Sequence, residues 1–393
     1  MKFMFSRRIQ NTPKSFIREI LKVTENPDVI SFAGGLPNPS LIDTEGIGKA
    51  ASDIIKSDGR SALQYSTTEG YEPLRQYIAD RYAKRYNLDV SADEILITNG
   101  SQQCLDLLGK VFINQGDTVL MEKPGYLGAI QSFSLYEPEF HSVSLQDDGP
   151  DTGELSSVLS EELPAFFYGI PNSQNPTGIT YSDEKRKEVA GILNEAEVPF
   201  IEDDAYGELR FDGKAIKPVK YYMPKAGIMT GSFSKIFSPG MRLGWVCATP
   251  KVLDKVIIAK QASDLHSNYL SQRILYQYLE ENNIDTHIEK IRAEYKTRAD
   301  LMVKTIRSEL PPEITCTQPE GGMFVWLRFP DNMSSMKIFE KASEKNVVIL
   351  PGMPFYVDGK GDKTARLNFT NLDEEEIKYG IGVVADVIKE LYY

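Results

Sequence analysis

The chain is poor in the residues that build metal sites and disulfide frameworks. Its 393 residues include three cysteines, Cys104, Cys247 and Cys316, and three histidines, His141, His266 and His287. The cysteines lie far apart with no CxxC pair and no even count, which excludes a disulfide framework and fits a reducing, cytoplasmic setting. The scattered histidines have no zinc spacing, so no metal site is expected. Basic residues are in deficit as well: 44 Lys and Arg stand against 56 Asp and Glu, a formal net charge of −12. Binding a phosphate backbone needs the opposite balance, which argues against nucleic acid as the main partner. No run approaches about 18 uninterrupted apolar residues, so no membrane-spanning helix is expected. Met1-Lys-Phe-Met-Phe-Ser-Arg-Arg8 lacks the apolar stretch and small-residue cleavage signal of a secretory leader.

What is present is a globular composition, 41% hydrophobic and 25% charged, in a chain long enough for two compact units. From residue 93 to residue 250, short apolar runs alternate with helix-like runs. Strands are expected at 94–98, 117–122, 165–170, 198–202 and 226–230. A helix with apolar spacing follows the first of them over 103–112. Thr180-Tyr-Ser-Asp-Glu opens another, with a hydroxyl cap and acids in its first turn. Short buried strands separated by helices predict an α/β fold with a mainly parallel sheet covered on both faces. Residues 251–310 are polar and periodic and predict long helices. Strands at 321–328 and 365–369 then fall in a helix-rich C-terminal part, so two domains sharing a long helix fit better than two separate beads.

Chemistry concentrates in Gly231-Ser-Phe-Ser-Lys-Ile-Phe-Ser-Pro-Gly-Met-Arg242. A lysine amine beside small hydroxyls, with an arginine close by, suits a pyridoxal phosphate site. Lys235 can condense with the aldehyde, while Ser232, Ser234 and Arg242 hold the phosphate. Asn99-Gly-Ser-Gln102 joins a strand to a helix, and a helix N-terminus there can seat a phosphate at Ser101 and Gln102. Any α/β protein has several such turns, so this motif alone is weak. Glu202-Asp-Asp-Ala-Tyr206 ends a strand, where open α/β sheets place their ligands. A carboxylate there can keep a pyridine nitrogen protonated, and Asp203 is the choice because its spacing leaves the Tyr206 hydroxyl free for the ring oxygen. Asn175-Pro-Thr-Gly178 is a strong turn former that also offers the Asn175 amide to the ring oxygen.

Together these runs resemble the fold-type I pyridoxal phosphate aminotransferases of class I/II, closest to the branch of 2-aminoadipate and kynurenine aminotransferases. The resemblance runs from Ser31-Phe-Ala-Gly-Gly-Leu-Pro37 to Arg366-Leu-Asn-Phe369. It passes through Leu63-Gln-Tyr-Ser-Thr-Thr-Glu-Gly-Tyr-Glu-Pro-Leu-Arg75, Pro124-Gly-Tyr126 and the motifs above, in the family's order. It implies pyridoxal 5′-phosphate as cofactor, held by Lys235, Asp203, Asn175, Tyr206, Ser101, Gln102, Ser232, Ser234 and Arg242, with Tyr126 stacked on the ring. Tyr65 matches a tyrosine that reaches the neighbouring subunit's phosphate, which implies a homodimer with shared sites. Arg366 matches the arginine on the substrate α-carboxylate, with Asn175 beside it, and Gly35 matches a glycine lying over the substrate. Lys14-Ser-Phe-Ile-Arg18 resembles the segment that sets an arginine, here Arg18, against a distal carboxylate, although an arginine on an amphipathic helix normally faces water.

The resemblance further implies a large domain with a mainly parallel central sheet plus a smaller α+β domain. The expected division is an N-terminal segment over 1–45 that covers the site, a cofactor-binding domain over 46–275 and a small domain over 276–393. The expected activity is transamination between an L-amino acid and a 2-oxo acid such as 2-oxoglutarate. A lyase or decarboxylase on the same scaffold is the rival, since the parts do not decide which Cα bond breaks. A transcription regulator with an aminotransferase-like domain is disfavoured, because the resemblance begins within the first ~20 residues and the charge is acidic.

Overall fold

The computed structural model describes residues 3–11, 26 and 28–393. The Arg18 expectation falls on the segment 12–25 and lies outside the described residues. An eight-stranded sheet forms the centre of the larger part. Its strands are β2 (Ile95–Thr98), β3 (Thr118–Lys123), β4 (Glu139–Gln146), β5 (Gly149–Pro150), β6 (Phe166–Gly169), β7 (Phe200–Asp204), β8 (Gly227–Ser232) and β9 (Gly244–Cys247), following β1 (Ile30–Ser31) in the chain. They lie in the order β2-β9-β8-β7-β6-β3-β4-β5. The run from β8 through β4 is parallel, and β9 enters antiparallel between β2 and β8. Strands β2, β6, β8 and β9 are buried along their whole length. That is why they read as continuous apolar runs without alternation: helices cover both faces of the sheet.

The expected strands of this sheet appear within a residue or two of the sequence reading, whereas the one expected at 321–328 starts only at Phe324, and the helix after β2 spans Ser101–Phe112 with Cys104, Leu105, Leu107 and Leu108 buried. The helix expected near Thr180 starts at Asp183, capped by the Ser182 hydroxyl on the Lys185 N–H. The polar region 251–310 forms three helices, Pro250–Gln261, Tyr269–Glu281 and Ile284–Glu309.

The smaller part is α+β. Strands β10 (Thr315–Cys316), β11 (Phe324–Arg328), β13 (Leu350–Pro351) and β14 (Thr364–Asn368) form an antiparallel sheet in the order β10-β11-β14-β13. The N-terminal segment is tied to this part. Its strand β1 pairs in parallel with β12 (Val347–Val348), and Phe32 exchanges backbone bonds with Val348 and Asn368. Phe32 is fully buried, and a Cβ on Gly380 would come within 2.5 Å of its ring. Among the described residues, no helix is long and apolar enough to cross a membrane.

Candidate active site

The carboxyl ends of β6, β7 and β8 open on a cavity of about 310 Å³, closed from the other side by Gly35 of the N-terminal segment and by Phe324 and Arg366 of the smaller sheet. Among the described residues, every site residue expected from the sequence lines this cavity except Tyr65.

Asp203 is the cavity's carboxylate. Alternation along β7 turns it inward, while Asp204 points to the other face, where it takes the Asn172 amide and the Gly207 N–H. The flanking strands grip Asp203: Tyr168 on β6 donates its hydroxyl to Oδ2 at 2.8 Å, and Thr230 on β8 donates to Oδ1 at 3.0 Å. Burial pushes the Asp203 carboxyl up to about 6, against the pull of these two donors. Neither partner was read from the sequence. The register Asp203↔Thr230 identifies one of them once the strand order is known.

Lys235 lies just past β8, half-buried, with Nζ donating to the Gly35 carbonyl at 2.9 Å. Burial, with Arg366 and Arg242 nearby, brings its amine down to about 8. Arg366 projects from β14 and is 3% exposed. Its guanidinium donates to Asn175 Oδ1 at 2.9 Å and to the Ala33 carbonyl at 2.6 Å, over the faces of Phe324 and Phe355. Neither oxygen partner carries a charge, and Nε has no partner at all. Burial lowers the Arg366 pKa to about 10. The Asn175 amide nitrogen faces the Tyr206 hydroxyl at 3.4 Å, and the Tyr206 ring meets the edge of Phe324.

The opposite end of the cavity is a cradle. Gly100 precedes Ser101 with φ +79, and a Cβ there would strike Arg242 Nη2 at 2.6 Å. Glycine is therefore needed both for the turn and for the arginine's approach. Arg242 reaches back from beyond β8 to the Asn99 carbonyl at 3.3 Å, and Ser232 Oγ accepts the Ser234 N–H at 3.1 Å. Tyr126 stands between the two ends, half-buried.

The charge balance of this cavity specifies its ligands. Lys235, Arg242 and Arg366 face one carboxylate, Asp203, so bound anions are needed at both ends. Pyridoxal phosphate would fit that demand: Ser101 and Arg242 could hold its phosphate, Lys235 its aldehyde and Asp203 its ring nitrogen, and Arg366 could take an amino acid carboxylate. Tyr65 is 80% exposed and lies in a surface groove, its ring edge-on to His266, rather than in this cavity.

Residues 30–384 match the family of class I and II aminotransferases. The chain is 42% identical to a 2-aminoadipate transaminase of Thermus thermophilus over 96% of this chain and 94% of that one. It is 41% identical to an aromatic-amino-acid aminotransferase of Thermococcus litoralis over 98% and 94% of the two chains. The crystal structure of α-aminoadipate aminotransferase from Thermus thermophilus, complexed with N-(5′-phosphopyridoxyl)-L-leucine, superposes with a TM-score of 0.92. That similarity covers 98% of this chain and 97% of that one at 39% identity. These similarities span nearly the whole chain, and the chain belongs to the class I and II aminotransferases as a pyridoxal phosphate-dependent transaminase of fold type I.

Proposed function

We propose that this transaminase takes the amino group of 2-aminoadipate, glutamate, or an aromatic or aliphatic L-amino acid and passes it to a 2-oxo acid such as 2-oxoglutarate. The observation that carries the substrate class is Arg366, a buried cation with one unpartnered nitrogen, facing the same cavity as Lys235. An α-carboxylate is the planar anion that its remaining donors fit.

When bound, pyridoxal phosphate supplies an aldehyde carbon that receives the amino group and a protonated ring that draws electrons from Cα. The chain's residues do the rest. Lys235 would hold the aldehyde, and its Nζ, when free, would move the proton at Cα. An amine held at about 8 is far better placed to accept that proton near neutral pH than an ordinary lysine. Asp203 keeps the ring nitrogen protonated. Asn175 and Tyr206 address the ring oxygen, and Tyr126 covers the ring face. Ser101, Gln102, Ser232, Ser234 and Arg242 hold the phosphate, while Gly35 lies over the substrate. The same reading divides the chain into a covering segment at 1–45, a cofactor domain at 46–275 and a small domain at 276–393, in a cytoplasmic enzyme.

The reading includes a homodimer with shared sites. Tyr65, Leu63 and Leu265 are exposed at 80%, 67% and 48%, an apolar surface that a second copy would cover while receiving the Tyr65 hydroxyl at its phosphate cradle. Mixing Lys235→Ala with Tyr65→Phe protein then gives hybrid dimers in which one site has both native residues. Activity of the mixture should rise above that of either parent. No recovery, with hybrids confirmed by native mass spectrometry, would place Tyr65 outside the partner's site.

Substrate choice is tested at Arg18. The Ser15-Phe-Ile-Arg18 spacing, and a relative named for 2-aminoadipate, support an arginine that reads a distal carboxylate. Single-turnover spectra with glutamate, 2-aminoadipate, leucine and phenylalanine should show Arg18→Ala weakening the dicarboxylic substrates by about tenfold or more, as loss of a charge-assisted contact implies. Leucine and phenylalanine should be nearly unchanged. An equal change in both classes would leave Arg18 with no part in specificity.

A further inference from the structure

An ion pair between a fully buried lysine and a half-buried aspartate lies next to the Asn99–Gln103 turn, and none of the roles assigned above uses it. Lys260, near the end of helix Pro250–Gln261, is fully buried. Its Nζ donates to Asp264 Oδ1 and Oδ2 at 2.9 Å each, to Gln103 Oε1 at 3.0 Å and to Ser267 Oγ at 3.0 Å. Asp264 Oδ2 also accepts the side-chain amides of Asn99 at 2.6 Å and Gln103 at 2.7 Å. Gln103 Oε1 in turn accepts the backbone N–H of Asn99 at 2.8 Å.

The pair therefore grips the residue before and the residue after Gly100-Ser101-Gln102, and neither the pair nor those two residues line the cavity. Its reach extends to Arg242, whose Nη2 donates to the carbonyl of the same Asn99 at 3.3 Å. Gly100 caps the helix Ser101–Phe112 without a side chain, so no capping side chain fixes the direction of the first helical N–H groups. Buried ion pairs are costly and are often no better for stability than apolar residues of the same size. One that locks both flanks of an anion-binding turn has a positional use that apolar residues could not supply.

We infer that Lys260 and Asp264 are positioning residues for the cofactor's phosphate: they hold the Asn99–Gln103 turn and, through Asn99, Arg242, so that the phosphate's direct partners converge on one point. The inference rests on the assignment of Ser101, Gln102 and Arg242 to the phosphate.

Equilibrium dialysis of the cofactor-free protein against pyridoxamine 5′-phosphate and against pyridoxamine separates this role from general stability, because neither ligand needs the covalent bond to Lys235. The main variant is Lys260→Met with Asp264→Leu, which removes both charges at similar volume and should keep the melting temperature within about 3 °C. It should raise the Kd of the phosphorylated ligand by about 10–100-fold, as loosened supports of a binding site do, and that of pyridoxamine by less than about threefold. Equal weakening of both ligands, or no weakening, overturns the inference. Should the double variant fail to fold, Asn99→Ala, which unhooks the turn from Asp264 and leaves the pair intact, is held to the same criterion. Arg242→Met is the control. If it too leaves discrimination between the ligands unchanged, the phosphate assignment itself is wrong. If it abolishes discrimination while the pair variants keep it, only the positioning role fails.

Discussion

Lys235→Ala should abolish transamination while leaving cofactor bound to the protein. The variant keeps the phosphate cradle, Asp203 and the ring contacts, so the near-ultraviolet cofactor band should survive gel filtration. On the role proposed for Lys235, it loses both the amine that would hold the aldehyde and the base that would move the proton at Cα. General-base removal alone costs about 10²–10⁴-fold, and loss of the covalent role adds to that. An overall fall of at least about 10⁴, or roughly 5 kcal/mol of barrier, is expected in kcat. Near-native turnover would show that another base does this work.

The cofactor-free form of the same variant should not be destabilised near neutral pH. The folded wild-type protein brings the Lys235 amine down to about 8 from an ordinary 10.5. The unfolded chain therefore binds the extra proton between those values, and this residue's contribution to stability improves as pH rises through that window. Below about pH 8 the penalty is present in full, and alanine removes it. Thermal melts at several pH values between 7 and 10.5 check the sign. A lower melting temperature for the variant at pH 7 would count against the argument.

Much of this site was legible in the sequence because its strands are short, apolar and buried on both faces, and its functional residues sit directly after them. The run Val198–Glu202 located β7, and period-two alternation is enough to send Asp203 and Asp204 to opposite faces. The proposed cradle was legible for a similar reason: the Asn99–Gln102 turn opens a helix directly after β2, and small hydroxyls flank Phe233 ahead of Arg242. What stayed hidden depends on strand order. Tyr168 and Thr230 grip Asp203 only because β6 and β8 flank β7, and nothing local in either strand marks them. Phe324 reaches the cavity from the smaller sheet, and Gly178 makes room there, since a Cβ would lie 2.6 Å from the Phe324 carbonyl. The Lys260–Asp264 pair was hidden too, because a lysine and an aspartate four apart on a polar helix read as an exposed surface pair. Tyr65 is the converse case. Its motif was clear, yet within one chain it is 80% exposed and outside the cavity, and the role proposed for it needs a second copy.

Asp203→Asn should lower kcat by several orders of magnitude while changing cofactor binding far less. The asparagine keeps the volume and can still accept one hydrogen bond from Tyr168 or Thr230. It no longer offers the negative charge that keeps a ring nitrogen protonated, and the electron withdrawal needed to release the Cα proton weakens accordingly. At about 1.4 kcal/mol per tenfold, a loss of about 10³–10⁴ corresponds to roughly 4–6 kcal/mol of barrier. Stability without cofactor should move the other way. The folded protein holds the Asp203 carboxyl at about 6 against an ordinary 3.8. The native state thus binds a proton that the unfolded state has released between those values, and stability falls as pH rises through that window. Above about pH 6 the burial penalty, on the order of 3 kcal/mol, is present in full in the cofactor-free wild type. The asparagine variant does not carry it, so at pH 8 its cofactor-free form should melt no lower than wild type, and the advantage should vanish near pH 4. The two pH trends have opposite signs, Lys235 favouring high pH and Asp203 low, because a buried cation and a buried carboxylate are each strained toward neutrality. On the proposed roles, both strains would be relieved in the loaded enzyme, where Asp203 would face a ring nitrogen and Lys235 would hold the aldehyde. A loss in kcat below about tenfold would move the ring-nitrogen role away from Asp203. A cofactor-free variant melting below wild type at pH 8 would mean that the Tyr168 and Thr230 bonds outweigh the burial of the charge.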